Sequence, residues 1–288
     1  MNRKVALVLS GGGAKGAFQA AVEKYAREER GYSWNVVAGV SVGALNAVMI
    51  AMGRQDRLWE IWNTISNDKV YRGRGNWWGI AKAVLFKKLS VFSNEPLWEL
   101  IKADVRGEDV DIDLHLGIVS LVDGRYHHIN QEDPEFVKKV LASTAIPVVF
   151  PPVDGEFVDG GVRNISPIAD VLKSAPDEVV IVNCSDPEYI SAAGNPESIL
   201  DVAKRTIDIL TNEVFKNDLN EILKINRLVK QAGEHGHELL NDEGKPYKYF
   251  TVRIIQPDKP LGETLDFSKA EIEKRISHGF EKAREILG

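Results

Sequence analysis

The stretch that most restricts what this 288-residue chain can fold into is residues 36–46, V-V-A-G-V-S-V-G-A-L-N. An apolar, β-branched run meets Gly39-Val40-Ser41-Val42-Gly43, and a small-residue run compatible with a helix follows. A serine on a sharp strand-to-helix turn, kept clear of neighbouring backbone by flanking glycines, projects its hydroxyl at the positive end of the next helix. A plain Gly/Ser turn uses the same letters, so the rest of the chain decides between them.

That context is a repeated alternation. Residues 4–9 (K-V-A-L-V-L) form the short continuous apolar run of a strand buried on both faces. Gly11-Gly12-Gly13-Ala14-Lys15-Gly16 follows, then a helix over 17–30 that stops at Gly31. A second strand is expected at 34–40 and a helix at 42–52. Strand, helix, strand, helix implies right-handed crossovers and a mainly parallel α/β sheet.

Further on, helices are expected at 56–65 and at 97–105, the latter opened by Asn94 as a capping side chain and by Pro96. Residues 114–121 and 125–129 flank Val122-Asp123-Gly124 and read as an antiparallel hairpin. A helix over 134–143 precedes the proline-rich 146–152, which cannot form a regular helix or central strand and is suited to walling a pocket. A short strand then enters Asp159-Gly160-Gly161. A helix at 168–173, a buried strand at 178–184, one long or two abutting helices over 198–232 and a strand at 249–255 follow. Ser268 with Glu271 offers a capping box for a last helix. Residues 235–245 read as a surface loop, so the expectation is a single domain over 1–288. Its motif-bearing core is about 4–167, and residues 168–288 complete the sheet and add long helices.

Apolar content of 44%, charged content of 27% and a net charge of -6 describe an ordinary soluble globular chain and argue against a nucleic-acid binder. The single Cys184 cannot form an internal disulfide, which fits a reducing, cytoplasmic setting. The apolar run at 5–9 is too short for a signal peptide, and Gly39, Ser41, Gly43 and Asn46 interrupt the longest apolar window, so no membrane span is expected. Residues 71–92 carry Trp77, Trp78 and Phe92 among Arg and Lys with no acidic residue. They suit either a cap helix over the site or peripheral contact with a membrane interface.

Gly11, Gly13 and Gly16 satisfy G-x-G-x-x-G, the letters of a dinucleotide site. The acidic residue that such a site needs after the second strand is replaced by Gly39-Val40-Ser41, and Ala17 stands where a phosphate-binding loop needs lysine. A nucleotide-binding module is therefore the non-enzyme alternative. A better use for Gly11, Gly12 and Gly13 is as backbone donors to an oxyanion, joined by the amide of Val42. Lys15 is either a solvated lysine or a contact for an anionic substrate group.

Ser41 also needs a base. Of the six histidines His237 is the best placed, although it lies in a polar loop, while His278 is expected to pack at the surface of the last helix. Asp159 is the other option: a carboxylate in a glycine turn after a short strand, able to take the proton directly if partly desolvated. By itself an Asp-Gly-Gly is usually only a turn.

Taken together, residues 11–16, 39–46, Ala142-Ser143-Thr144-Ala145-Ile146-Pro147 and Asp159-Gly160-Gly161 resemble the patatin-like phospholipase family over roughly residues 4–167. The resemblance implies a three-layer α/β/α fold and a serine-aspartate dyad without histidine. Ser41 would be the nucleophile, Asp159 the base, and the first glycine turn the oxyanion hole, with Gly39, Gly43, Gly160, Gly161 and Lys15 supporting them. It implies hydrolysis of lipid acyl esters through an acyl-enzyme, with no metal or cofactor. An acyltransferase working through the same acyl-enzyme is the enzyme alternative. Lys15 stands where many members carry arginine, which keeps the charge and loses the fork geometry.

Overall fold

The structure, a computed structural model, describes residues 3–73, 89–185, 195, 197–241 and 244–288. Its centre is a seven-stranded sheet built from β1 (Val5–Leu9), β2 (Val36–Gly39), β3 (Asp113–Ser120), β4 (Tyr126–Ile129), β5 (Phe157–Asp159), β6 (Glu178–Val182) and β7 (Thr251–Ile255). The order is β4-β3-β2-β1-β6-β7, with β1, β2, β3, β6 and β7 parallel and β4 antiparallel to β3. Each parallel neighbour in the first half is joined through a helix, as the alternation requires.

Among the described residues the α-helices are α1 (Gly16–Arg30), α2 (Val42–Ala51), α3 (Gln55–Thr64), α4 (Asn67–Val70), α5 (Glu95–Asp104), α6 (Phe136–Ser143), α7 (Ile168–Leu172), α8 (Ile199–Glu234) and α9 (Lys269–Leu287). Alternation along β1 sorts them into layers. Val5, Leu7 and Leu9 join a core with Phe18 and Val22 of α1, Val48 of α2 and Ile272 of α9. Ala6 and Val8 join a second core with Ile168 and Val171 of α7 and Phe215 of α8. The sheet is thus sandwiched between helices on both faces, an α/β/α arrangement. Burying a leucine such as Leu7 or Leu9 contributes about 2 kcal/mol.

Local expectations failed at two helix starts. Neither Asn94 nor Ser268 caps its helix with its side chain. At α9 the box does not close, because Asp266 accepts the Ser268 N–H at 2.9 Å and Glu271 pairs with Lys274. The 198–232 periodicity resolves into one 36-residue helix, capped by Ser198, which accepts from the Asp201 amide at 3.2 Å. His278 is not at the surface: its side chain is 3% exposed, held between Asp258 and Glu281 and tilted against Phe18. Most of the 71–92 segment, residues 74–88, lies outside the described residues. Its flanks, Tyr71 and Phe92, pack edge to face, and Tyr71 also meets Phe150 and Phe267.

One departure from a simple parallel sheet positions the site. β2 pairs with one edge of β3 as far as Gly39 opposite Leu116. β4 takes the other edge, from Leu116 to Val119. β5 pairs antiparallel with Ile118, Val119 and Ser120, and since β4 already holds that far edge, β5 lies on the β2 side. It fills the lane that β2 vacates when the chain turns into α2.

Candidate active site

At the end of β2 the chain reverses over a single residue. Ser41 has φ 59 and ψ -131, a conformation that costs a side-chain-bearing residue about 1–3 kcal/mol. The flanking glycines make the turn sterically feasible: a Cβ on Gly39 would overlap the Gly43 carbonyl, and one on Gly43 would overlap the Leu9 carbonyl of β1. The Ser41 N–H donates to Ser143 Oγ at 3.1 Å, and Ser143 Oγ donates to the Gly117 carbonyl at 2.8 Å. The Ser41 hydroxyl caps no helix amide and is left for other partners.

Its partner is Asp159. In the β3 ladder Asp159 faces Ile118, two residues beyond the Leu116 that faces Gly39, so it occupies the level that residue 41 would have reached had β2 continued. The Asp159 N–H is anchored on Ala145 O at 3.0 Å, and its Oδ1 accepts from the Gly161 N–H at 2.8 Å. Burial, leaving only 4% of the residue exposed, pushes the carboxyl up to about 7, partly offset by hydrogen bonds from the Ser41 hydroxyl and the Gly161 amide. A carboxylate so poised is a base near neutral pH.

The first glycine turn closes over the same point. Gly13 has φ 57, and a Cβ there would strike the Thr264 carbonyl, which accepts the Ala14 N–H at 2.8 Å. Gly11 departs from its expected role as an oxyanion donor, because its N–H is committed to Ile165 O at 3.0 Å. The N–H groups of Gly12, Gly13 and Val42 donate to no acceptor among the described residues. Lys15 lines a cavity beside this turn.

A buried polar network fixes the turn from below. Gln19 Nε2 donates to Ser10 O at 2.7 Å, Asn46 Nδ2 donates to Gln19 Oε1 at 2.9 Å, and Trp62 Nε1 donates to Asn46 Oδ1 at 3.0 Å. Cys184 lies under Gly12, its N–H on Ser10 Oγ at 2.9 Å and its thiol pushed up to about 12 by burial. From the other side Arg275, 1% exposed, donates to the carbonyls of Leu261 (2.7 Å), Asp266 (2.6 Å) and Glu263 (3.0 Å), which pins the loop that carries Thr264.

Two cavities meet at Ser41. The first holds about 820 Å³, its open mouth included, and is walled by apolar side chains of α2, α3 and α5, among them Leu45, Met49, Leu58, Leu97 and Ile101. The second, about 800 Å³ on the same basis, also touches Asp159 and is lined by Gly12, Lys15, Asp208, Thr211 and Glu263. No histidine lines either one among the described residues. His115, His127, His128 and His278 face carboxylates elsewhere, and His237 is exposed beyond the end of α8.

Gln19, Thr264 and Arg275 are neighbours of the site that the sequence did not single out, while Ser143 and Asn46 lie in motifs already noted without a role of their own. Of the three, Arg275 left a signal: it falls three residues after Ile272 and four before Gly279, within the buried stripe of its helix. The described residues contain no cluster of three or more metal-ligating side chains, and no helix among them is long and apolar enough to cross a membrane.

A family model described as patatin-like phospholipase matches residues 7–172 of this chain. No curated protein matches it in sequence. Among solved structures, VipD from Legionella pneumophila is similar at 14% identity and a TM-score of 0.47, over 100% of this chain and 67% of that one.

Proposed function

Because this chain belongs to the patatin-like phospholipase family, we propose that it is a lipid acyl hydrolase working through Ser41 and Asp159 alone. Asp159 takes the proton from Ser41 Oγ as that oxygen attacks the ester carbonyl carbon. The negative charge passes to the carbonyl oxygen, for which the uncommitted N–H groups of Gly12, Gly13 and Val42 are the donors, each worth roughly 3 kcal/mol of barrier. Collapse breaks the ester C–O bond, and Asp159 returns the proton to the departing alkoxide. An acyl group is left on Ser41. Water then gives its proton to Asp159, attacks the acyl carbon and releases the fatty acid as Ser41 recovers its hydrogen. The acyl chain lies in the apolar cavity along α2.

The observation that carries this reading is Asp159 in the lane that β2 vacates at Ser41, hydrogen-bonded to the Ser41 hydroxyl and raised to about 7. A fluorophosphonate carrying an acyl-like chain tests it. The adduct is expected on Ser41, with hydrolysis of acyl esters lost in Ser41→Ala and Asp159→Asn and retained in His237→Ala. An adduct on any other residue, or activity surviving in Asp159→Asn but not in His237→Ala, would falsify the dyad.

A further inference from the structure

The apolar cavity is bounded at one end by an ion pair. Among the described residues that line it, Asp104 is the sole charged one. It is the last residue of α5, one turn beyond Leu100 and Ile101 of the same wall. Its Oδ1 and Oδ2 accept from Arg57 Nε and Nη2 of α3 at 2.9 and 3.1 Å, and its carbonyl accepts from Arg54 Nη1 at 3.0 Å. Arg57 Nη1 also meets Glu60 at 3.2 Å. The Asp104 side chain is 13% exposed and that of Arg57 45%, so the pair runs from the cavity wall to solvent. It ties together α3 and α5, which wall the cavity with α2.

This end lies away from Ser41. The Arg54 N–H donates to Met49 O at 2.8 Å, and the Arg106 N–H lies on Met52 Sδ at 3.3 Å, so the C-terminal ends of α2 and α5 meet. Met49 is eight residues past Ser41, about 12 Å along the helix. An alkyl chain laid from Ser41 gains about fourfold in binding with each methylene it buries. At Asp104 that gain ends. A further methylene has to part a bidentate pair or strip it of water, and apolar carbon offers neither charge a partner in return.

Resting on the hydrolase reading above, we propose that the Arg57–Asp104 pair is the length stop of the acyl cavity, and that the substrates are esters of medium-length acyl chains, of about ten carbons. The pair sorts chains and takes no part in the chemistry at Ser41. A partly exposed ion pair contributes little to stability. Its removal therefore acts on selectivity and leaves the fold intact.

The test reads rate and binding against chain length. kcat/KM is measured for p-nitrophenyl esters, and calorimetry on Ser41→Ala measures binding of n-alkanoates, both from about four to about sixteen carbons. The parent is expected to rise by about fourfold per methylene up to about ten carbons and then to level off. Asp104→Ala and Arg57→Ala are each expected to carry the rise on by about two carbons or more, with the melting temperature little changed. The double variant is expected to go no further than Asp104→Ala, because the two side chains act as one. A parental rise that continues to the longest chains overturns the proposal, as does the parental stop in a folded Asp104→Ala. The alkanoate arm reads no chemistry. A stop seen there without an adduct on Ser41 sinks the hydrolase reading alone, whereas an adduct on Ser41 with no stop sinks the length gauge alone.

Discussion

Ser143 holds Ser41 by the backbone: the Ser41 N–H donates to the Ser143 hydroxyl at 3.1 Å, and that hydroxyl passes its own hydrogen to Gly117 O at 2.8 Å. One buried side chain thus ties the elbow to the strand that also carries β5. Ser143→Ala leaves an amide and a carbonyl unpaired in a buried place, a cost of about 1–3 kcal/mol. Urea unfolding is expected to register that loss. Steady-state kinetics are expected to show kcat reduced about tenfold or more with KM little changed, because the elbow and not the cavities is disturbed.

Asp159 is expected to set the pH behaviour. With the carboxyl near 7, kcat/KM for an acyl ester is expected to rise through about pH 7 and level off above it. Asp159→Asn removes both the rise and about a hundred- to ten-thousandfold of the rate. Stability runs the other way. The folded chain keeps this proton between the ordinary value of 3.8 and about 7, where the unfolded chain has released it. Folding therefore weakens as pH rises across that window, by roughly a few kcal/mol in all, and Asp159→Asn escapes the penalty. At pH 8 the variant is expected to melt higher than the parent.

The apolar cavity runs along α2 from Ser41 toward Met49, a span of about 12 Å at 1.5 Å rise per residue. An extended alkyl chain with carbon–carbon bonds of about 1.5 Å covers it with roughly ten carbons. Met49→Trp fills the distal part. The ratio of long-chain to short-chain ester hydrolysis is expected to fall by about tenfold or more; a ratio that does not move would place the acyl chain elsewhere.

Arg275 is predicted to be worth more than its surface neighbours. Arg275→Met strands the carbonyls of Leu261, Asp266 and Glu263 that now share one guanidinium, a loss of about 2 kcal/mol or more. The freed loop no longer presents Thr264 O to Ala14, so the glycine turn loosens as well. Both a lower melting temperature and slower labelling of Ser41 by the fluorophosphonate are expected. Lysine restores only part of each, since it lacks the planar fork.

Much of the architecture was legible because β1 and β6 are buried on both faces and announce themselves as short apolar runs. The elbow was legible for a different reason: Gly39 and Gly43 are demanded by contacts that no other residue survives. What could not be read was long-range pairing. Nothing in Phe157–Asp159 shows that it runs antiparallel in the lane of β2, because that follows from hydrogen bonds to β3, formed by a distant segment. The same holds for Gly11, whose amide looks free until Ile165 is folded against it, and for Ser268, whose capping chemistry lost to the nearer Asp266. His278 misled by composition, since an isolated histidine in an amphipathic helix gives no hint that Asp258 and Phe18 enclose it.

The handover of one lane on β3 from β2 to β5 has a mechanical meaning. Ser41 and Asp159 are both placed by their register on β3, Gly39 opposite Leu116 and Asp159 opposite Ile118, so insertions in the long connection between them leave their pairing untouched, whereas slippage of the β5 ladder by one residue turns Asp159 to the opposite face. The backbone amides where β3 and β5 pair act as a strain gauge for the site. Their deuterium uptake would report its opening before any other part of the molecule unfolds.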